Sequence, residues 1–314
     1  MESADAPSPP RGRLPRPALA IIAPLAAAAV LAACAPGTGS GPPAVTQPAP
    51  PPDEAENALL RDAEQRLVAD CMTERGFRYW AVPTTDDEGL RPLGFVLDDT
   101  AWARAHGYGG GSLARAADER DANPNAAYVR ELTEERQRAY AAALRGGAGT
   151  PELSIDLPGG GTAVSRLGGC EGEAGRRLYG DLAAWTRADT LTANLTPLYV
   201  PEITRDARFT RALAAWSACM AAAGLPYERP DQVRAEARRK AAGLAPDAVT
   251  VAEAPLAMAE AQCGASTGLA GTARRLEAEY RERLPERYRS AVGERTELAR
   301  AALPRARAIT GRTA

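Results

Sequence analysis

The sequence predicts a mainly α fold: a disulfide-stapled helical domain with a degenerate internal duplication and a minor β hairpin in the first half. Three observations carry this. Apolar residues recur at three- and four-residue spacing through most of the chain beyond residue 53, as on the buried face of a helix. Alternation of period two is confined to short stretches in the first half. Four cysteines lie in that folded part, and two of them sit in an echo: Cys71-Met72, three residues, Gly76, an apolar residue, any residue, Tyr79, against Cys219-Met220, three residues, Gly224, an apolar residue, any residue, Tyr227.

The first 33 residues are a targeting segment, excluded from the fold. Arg11, Arg13 and Arg16 precede an apolar run from Ala18 to Ala33, interrupted only by Pro24. The run is shorter than the ~20 residues a spanning helix needs. It ends in Leu31-Ala32-Ala33-Cys34, which resembles the bacterial lipobox: small residues for the peptidase, then a cysteine whose thiol takes a diacylglycerol. The expected mature chain starts at Cys34, lipidated and membrane-bound on the extracytoplasmic face. The bland alternative is an ordinary secretory signal. The whole chain carries a formal charge of −2. Loss of three arginines and two acids with the signal leaves a mature chain near −3, with no nucleic-acid-binding balance. Residues 34–52 are then a tether rich in Pro, Gly, Ala, Ser and Thr, spanning roughly 25–55 Å.

Asp53-Glu54 open the first helix, as acids suit its positive end. Leu60, Ala63, Leu67 and Cys71 mark its buried face, and Gly76 fits the left-handed position past its end. Phe77 to Val82 alternates weakly and reads as a short strand. Asp98-Asp99 cap a short helix through Trp102 that stops at Gly107, and Gly109-Gly110-Gly111 read as a flexible loop. Asn123-Pro124 read as N-cap and N1, and Thr133 caps a helix that Gly146 follows. Ser154–Leu157, a Pro-Gly-Gly-Gly tip and Thr162–Ser165 form the hairpin. One helix is expected from Cys170 through Ala174, Leu178 and Leu182 to Trp185.

A second module starts near Asp206. Its first helix carries Leu213, Trp216, Cys219 and Met220 and ends at Gly224. Helices follow at 232–242, 252–263 and 269–284, and a last one runs from Pro285 to about Leu303. Trp185 and Trp216 are core. The expected organisation is signal 1–33, tether 34–52, first module 53–190 and second module 191–314, or one continuous domain 53–314.

Asn123-Pro124-Asn125-Ala126-Ala127-Tyr128, Gly169-Cys170-Glu171 leading to Leu178-Tyr179-Gly180-Asp181, and Trp216 to Gly224 resemble motifs of uncharacterised secreted proteins and lipoproteins of actinobacteria. The resemblance covers most of residues 55–265 and implies an exported, lipid-anchored protein. It brings no known activity, ligand or catalytic residue.

Four cysteines allow three pairings. The duplication selects Cys71–Cys170 and Cys219–Cys263, each closing its own module. A zinc site would want a close cysteine pair, and the spacing has none. His106, the sole histidine, stands at a helix end before Gly107 with Ser112 the nearest downstream hydroxyl, and is read as a dipole partner rather than a catalytic base. Asp86-Asp87-Glu88 and Asp98-Asp99 can be read as an acid–base pair or calcium ligands, or as a solvated loop and a helix cap. Trp80, Trp102 and Tyr108, with Asp98 and Asp99, are the candidate ligand-binding set, for a carbohydrate or peptide groove. No cofactor or metal is expected. The expected function is a non-enzymatic binding module at the cell envelope, whose partner is a protein, a cell-wall component or a small ligand. The alternatives are a carboxylate-dependent cell-wall hydrolase and a solute-binding lipoprotein.

Overall fold

A computed structural model gives the fold and describes residues 50–82 and 88–312. These residues form thirteen α-helices and one two-stranded sheet. The lipobox, most of the tether and Asp86-Asp87 lie outside them. Pro50 to Pro52, the end of the expected tether, are docked: the Arg300 guanidinium donates to the Pro50 and Pro51 carbonyls at 2.8 and 3.0 Å, and Pro52 is buried.

Helix α1 (Glu54–Glu74) opens with a capping box. The Asp53 carboxylate accepts the Glu56 N–H and the Glu56 carboxylate accepts the Asp53 N–H, so two otherwise orphaned donors are satisfied. Phe77–Val82 is not a strand, because no neighbouring strand among the described residues pairs with it. Its backbone is held instead by one side chain: Asn125 accepts the Trp80 N–H and donates to the Trp80 carbonyl, both at 2.8 Å.

A 3₁₀ turn (Glu88–Leu90) leads to α2 (Thr100–His106) and α3 (Gly110–Asp121). The glycines expected to make a loop instead start α3, with Gly109 at φ +82°. Gly110 and Gly111 are there for close packing against α11 (Pro246–Ser266), and Gly109 for packing against the Gly89 carbonyl. A Cβ on Gly111 would lie 2.2 Å from the Thr250 hydroxyl and 2.5 Å from the Pro246 carbonyl oxygen. Helices α4 (Pro124–Glu131) and α5 (Glu134–Arg145) follow, capped by Asn123 and Thr133 as their side chains predict. Strands β1 (Glu152–Asp156) and β2 (Thr162–Arg166) form the antiparallel hairpin, with Ser154 opposite Val164.

The single helix expected from Cys170 is two. Between α6 (Gly169–Tyr179) and α7 (Leu182–Ala193) the chain turns at Gly180, φ +83°, and Asp181 caps α7. Trp185 consequently stacks on Tyr179 at 3.7 Å and stays half-buried rather than fully in the core. Next come α8 (Thr196–Arg205), which the sequence reading passed over, α9 (Ala207–Ala222), α10 (Pro230–Ala241), α11, α12 (Leu269–Glu282) and α13 (Glu286–Thr310). Helix α13 continues past Leu303 through Pro304, since Ala302, Ala306 and Thr310 all remain buried against neighbours.

Two apolar clusters form the interior. One gathers α1, α5 and α6 with the end of α13, around Met72, Leu178 and Ala302. The other gathers α8 to α12 with the 96–108 segment, around Trp216, Met220 and Leu276. Each cluster thus draws elements from both sides of the expected boundary at residue 190. The described residues pack as one compact unit.

The Cys-Met echo is a structural one. Both helix ends close with the same paired hydrogen bonds, in which Gly76 and Gly224 donate to the carbonyls of Thr73 and Ala221, and Phe77 and Leu225 to those of Met72 and Met220. This is the Schellman closure, with glycine in the left-handed position at φ +77° and +78°. Both methionines are fully buried. Disulfides join Cys71 to Cys170 and Cys219 to Cys263, with Cα atoms 5.6 and 5.7 Å apart. The likeness ends at the partner helices. Cys170 is the second residue of α6, whereas Cys263 lies in the last turn of α11.

Candidate functional site

The acidic pair Asp98-Asp99 and the short helix behind it build the first site. Asp99 is the N-cap of α2: its Oδ1 accepts the Trp102 N–H at 2.9 Å. That bond, and then the Arg91 guanidinium, hold its carboxyl below the ordinary aspartate value. Trp102 is buried, and its indole N–H donates to the Glu88 carbonyl at 2.9 Å, pinning the 3₁₀ turn to α2. Arg91 lies over the indole at 4.5 Å and donates to Asp99 Oδ2 at 3.1 Å. One helical turn on, the His106 ring sits 5.2 Å from the indole. With Glu54 from α1, these residues line a cleft of about 500 Å³, within the ~300–1,000 Å³ range of small-ligand sites.

Asp98 faces the other way. It pairs with Arg274 at 2.7 Å in an adjoining cleft of about 310 Å³ between the 91–99 segment and α12. Arg91 and Asp99 line both clefts. The structure thus brings together Trp102, Asp98 and Asp99 from the candidate set and separates the other two. Tyr108 is a core residue whose hydroxyl has no hydrogen-bond partner among the described residues. Burial, and then the neighbouring Glu260 carboxylate, push its phenol far above the usual range. Trp80 is 40 % exposed and packs edge-on against Tyr128, lining neither cleft.

Two buried carboxylates that the sequence reading missed hold this region in place. Glu253 and Glu260 stand two turns apart on α11 and are 2 % and 0 % exposed. Glu253 Oε2 accepts the N–H groups of Tyr108 and Gly110 at 2.9 and 3.1 Å, placing negative charge at the start of α3. Glu260 accepts the Leu97 N–H at 2.9 Å and a fork from Arg234. The signal was available: between Val251 and Gln262 these are the sole charged residues in an Ala, Leu and Met-rich run.

His106 has no nucleophile beside it in the cleft, and Ser112, the hydroxyl nearest in sequence, is buried and accepts from Arg115. Among the described residues no group of three or more His, Cys, Asp or Glu side chains is placed to hold a metal. No helix among them is long and apolar enough to cross a membrane. Mainly helical, closed by two disulfides and indented by a Trp102 cleft, the chain has no significant match among family models, curated proteins or solved structures.

Proposed function

We propose that this is a lipid-anchored extracytoplasmic protein, held at the membrane by diacylglycerol on Cys34, whose helical domain binds a ligand or partner at the cell envelope without turning it over. The observation that carries the non-enzymatic reading is the engagement of the carboxylates. Asp99 is committed to the Trp102 N–H and to Arg91, and Asp98 to Arg274. An acid–base pair needs carboxyls whose surroundings push their pKa values apart and leave them facing substrate. Asp99 is instead lowered by its cap bond. The two disulfides support export, since such bonds persist in oxidising compartments. A solute-binding subunit with two α/β lobes is disfavoured by the single hairpin among the described residues.

Two experiments test the reading. Cys34→Ala should release the protein from membranes or leave it unprocessed; mature-size protein that still partitions into detergent refutes the anchor. Purified protein should show no turnover of peptidoglycan fragments or glycosides beyond a triple Asp98→Ala, Asp99→Ala, His106→Ala control. Activity that vanishes in that control refutes the non-enzymatic reading.

A further inference from the structure

A third cleft, apart from the Trp102 and Asp98 clefts, lies between α1, the segment around Tyr79 and the start of α4. It encloses about 520 Å³ and is lined by Arg61, Glu64, Gln65, Tyr79, Asn123 and Asn125, with Val82 at its edge. Every one of the six is a planar polar or aromatic side chain. Two of them are wall. Asn125 spends its amide on the Trp80 backbone, which fixes the extended segment that carries Tyr79. The Tyr79 hydroxyl donates to Gln65 Oε1 at 3.1 Å, which fixes the ring.

What remains unspent defines the ligand. Gln65 has used its oxygen and not its nitrogen. Asn123 Oδ1 accepts the Asn125 N–H at 2.8 Å as a helix cap, and its own amide nitrogen has no partner among the described residues. Glu64, half-buried, makes no hydrogen bond or ion pair among them. Burial first, and then the Glu171 and Asp189 charges, raise its pKa above the ordinary glutamate value. The cleft therefore offers amide donors and a carboxylate acceptor side by side, next to an aromatic ring. A cation would satisfy Glu64 and leave both amides facing it unmatched. An anion would satisfy the amides and meet the Arg61 guanidinium, which already has a partner, but would be repelled by Glu64. A hydroxyl donates and accepts at once, so a row of hydroxyls on an apolar ring matches all of these groups together.

We propose that this cleft is a saccharide-binding site, taking a short neutral glycan whose hydroxyls pair with Glu64, Gln65 and Asn123 and whose ring lies against Tyr79. The proposal does not depend on the Trp102 cleft. The test is the full chain, purified in detergent, on an array of neutral glycans that includes β-1,4-linked N-acetylglucosamine oligomers. Titration calorimetry then follows with whichever saccharide binds. The expected result is saturable binding, weakened about tenfold or more by Glu64→Ala and by Gln65→Ala, each removing a hydrogen bond to a fixed partner, and unchanged by His106→Ala. Thermal melts of each variant separate lost contacts from lost fold, and Gln65→Ala, which deletes no buried charge, stands in if Glu64→Ala does not fold. Four results overturn the proposal: no glycan on the array binds, binding survives both substitutions, spermidine competes for the site where free sugar does not, or binding is lost in His106→Ala. Binding lost in His106→Ala instead would assign the glycan to the Trp102 cleft.

Discussion

Glu260 and Arg234 form an ion pair at 2.6 Å in which the carboxylate side chain has no solvent exposure and the guanidinium is 17 % exposed. The same Arg234 donates to the Gly94 carbonyl at 3.2 Å, and the same Glu260 accepts the Leu97 N–H. One pair thus ties α10, α11 and the 94–97 segment together. That segment is one wall of the Asp98 cleft and leads into α2. The position of the candidate site therefore rests on a buried charge pair that never touches it.

Removing one partner of such a pair is costly because the other charge stays buried. Arg234→Ala should destabilise the protein by about 3–5 kcal/mol, read as a fall in the urea midpoint. Glu260→Gln keeps an acceptor for Leu97 and for Arg234, and the charge it strands is the partly exposed Arg234 rather than a fully buried one, so it should cost less. A loss below about 1 kcal/mol for Arg234→Ala would mean that the pair is solvated rather than buried.

Much of this fold was legible because the signals are local. Asp53, Asp99, Asn123 and Thr133 cap helices because a short acceptor side chain before a helix can do little else. Gly76 and Gly224 end helices because each must adopt a positive φ. Two of the misreadings arise where a contact distant in sequence decides, whereas the break between α6 and α7 carries a local mark, Gly180 followed by the cap Asp181. Gly110 and Gly111 look like part of a loop until α11 is laid against them. Phe77 to Val82 looks like a strand until the partner of its Trp80 backbone proves to be the Asn125 side chain. At the site, Asp99 and Trp102 were legible as cap and capped residue three apart. Glu54 and Arg91 join them through the tertiary fold, and neither carries a mark in the sequence.

Gly111 should tolerate no side chain. Its missing Cβ would meet a backbone oxygen at 2.5 Å, and backbone does not rotate away. Gly111→Ala should cost about 1–3 kcal/mol as overpacking, and should loosen α3 from α11, raising amide exchange at Tyr108 and Gly110, whose N–H groups bind Glu253. Gly293→Ala, with nothing within 4 Å, is the control and should be neutral or stabilising. Equal effects at the two glycines would refute the close packing.

Asn125 clasps the extended segment through both backbone groups of Trp80. Asn125→Ala should lose about 1–2 kcal/mol for its two hydrogen bonds and red-shift the emission of the half-exposed Trp80. Loss of stability with no change at Trp80 would place its role elsewhere.

The Cys219–Cys263 bridge closes a 44-residue separation and the Cys71–Cys170 bridge one of 99. Chain entropy then predicts about 4 and about 4.7 kcal/mol of stabilisation, upper values where the unfolded chain retains structure. Cys219→Ser should destabilise the protein and leave Cys263 titratable in denaturant, with Cys71 and Cys170 still blocked. A non-reducing peptide map that links Cys71 to Cys219 or Cys263 would refute the pairing.

Glu64 makes the remaining prediction one of sign. Its pKa is raised in the fold above the ordinary 4.5 by burial and then by the Glu171 and Asp189 charges. The folded state therefore holds this proton more tightly than the unfolded state, and stability falls as pH rises from about 4.5 through the raised value. Below that window both states carry the proton and the residue costs nothing of this kind. Glu64→Gln is neutral at every pH, so it should raise stability at pH 7 by about 1 kcal/mol, the low end for a polar group buried without a partner, and leave it unchanged near pH 4. The check is a pair of melting curves at the two pH values. A gain equal at both would trace to packing, and a loss at pH 7 would show that the carboxylate has a partner that stabilises its charge. The same substitution keeps a hydrogen-bonding group in the cleft beside Tyr79, so its effect on glycan binding should be smaller than that of Glu64→Ala.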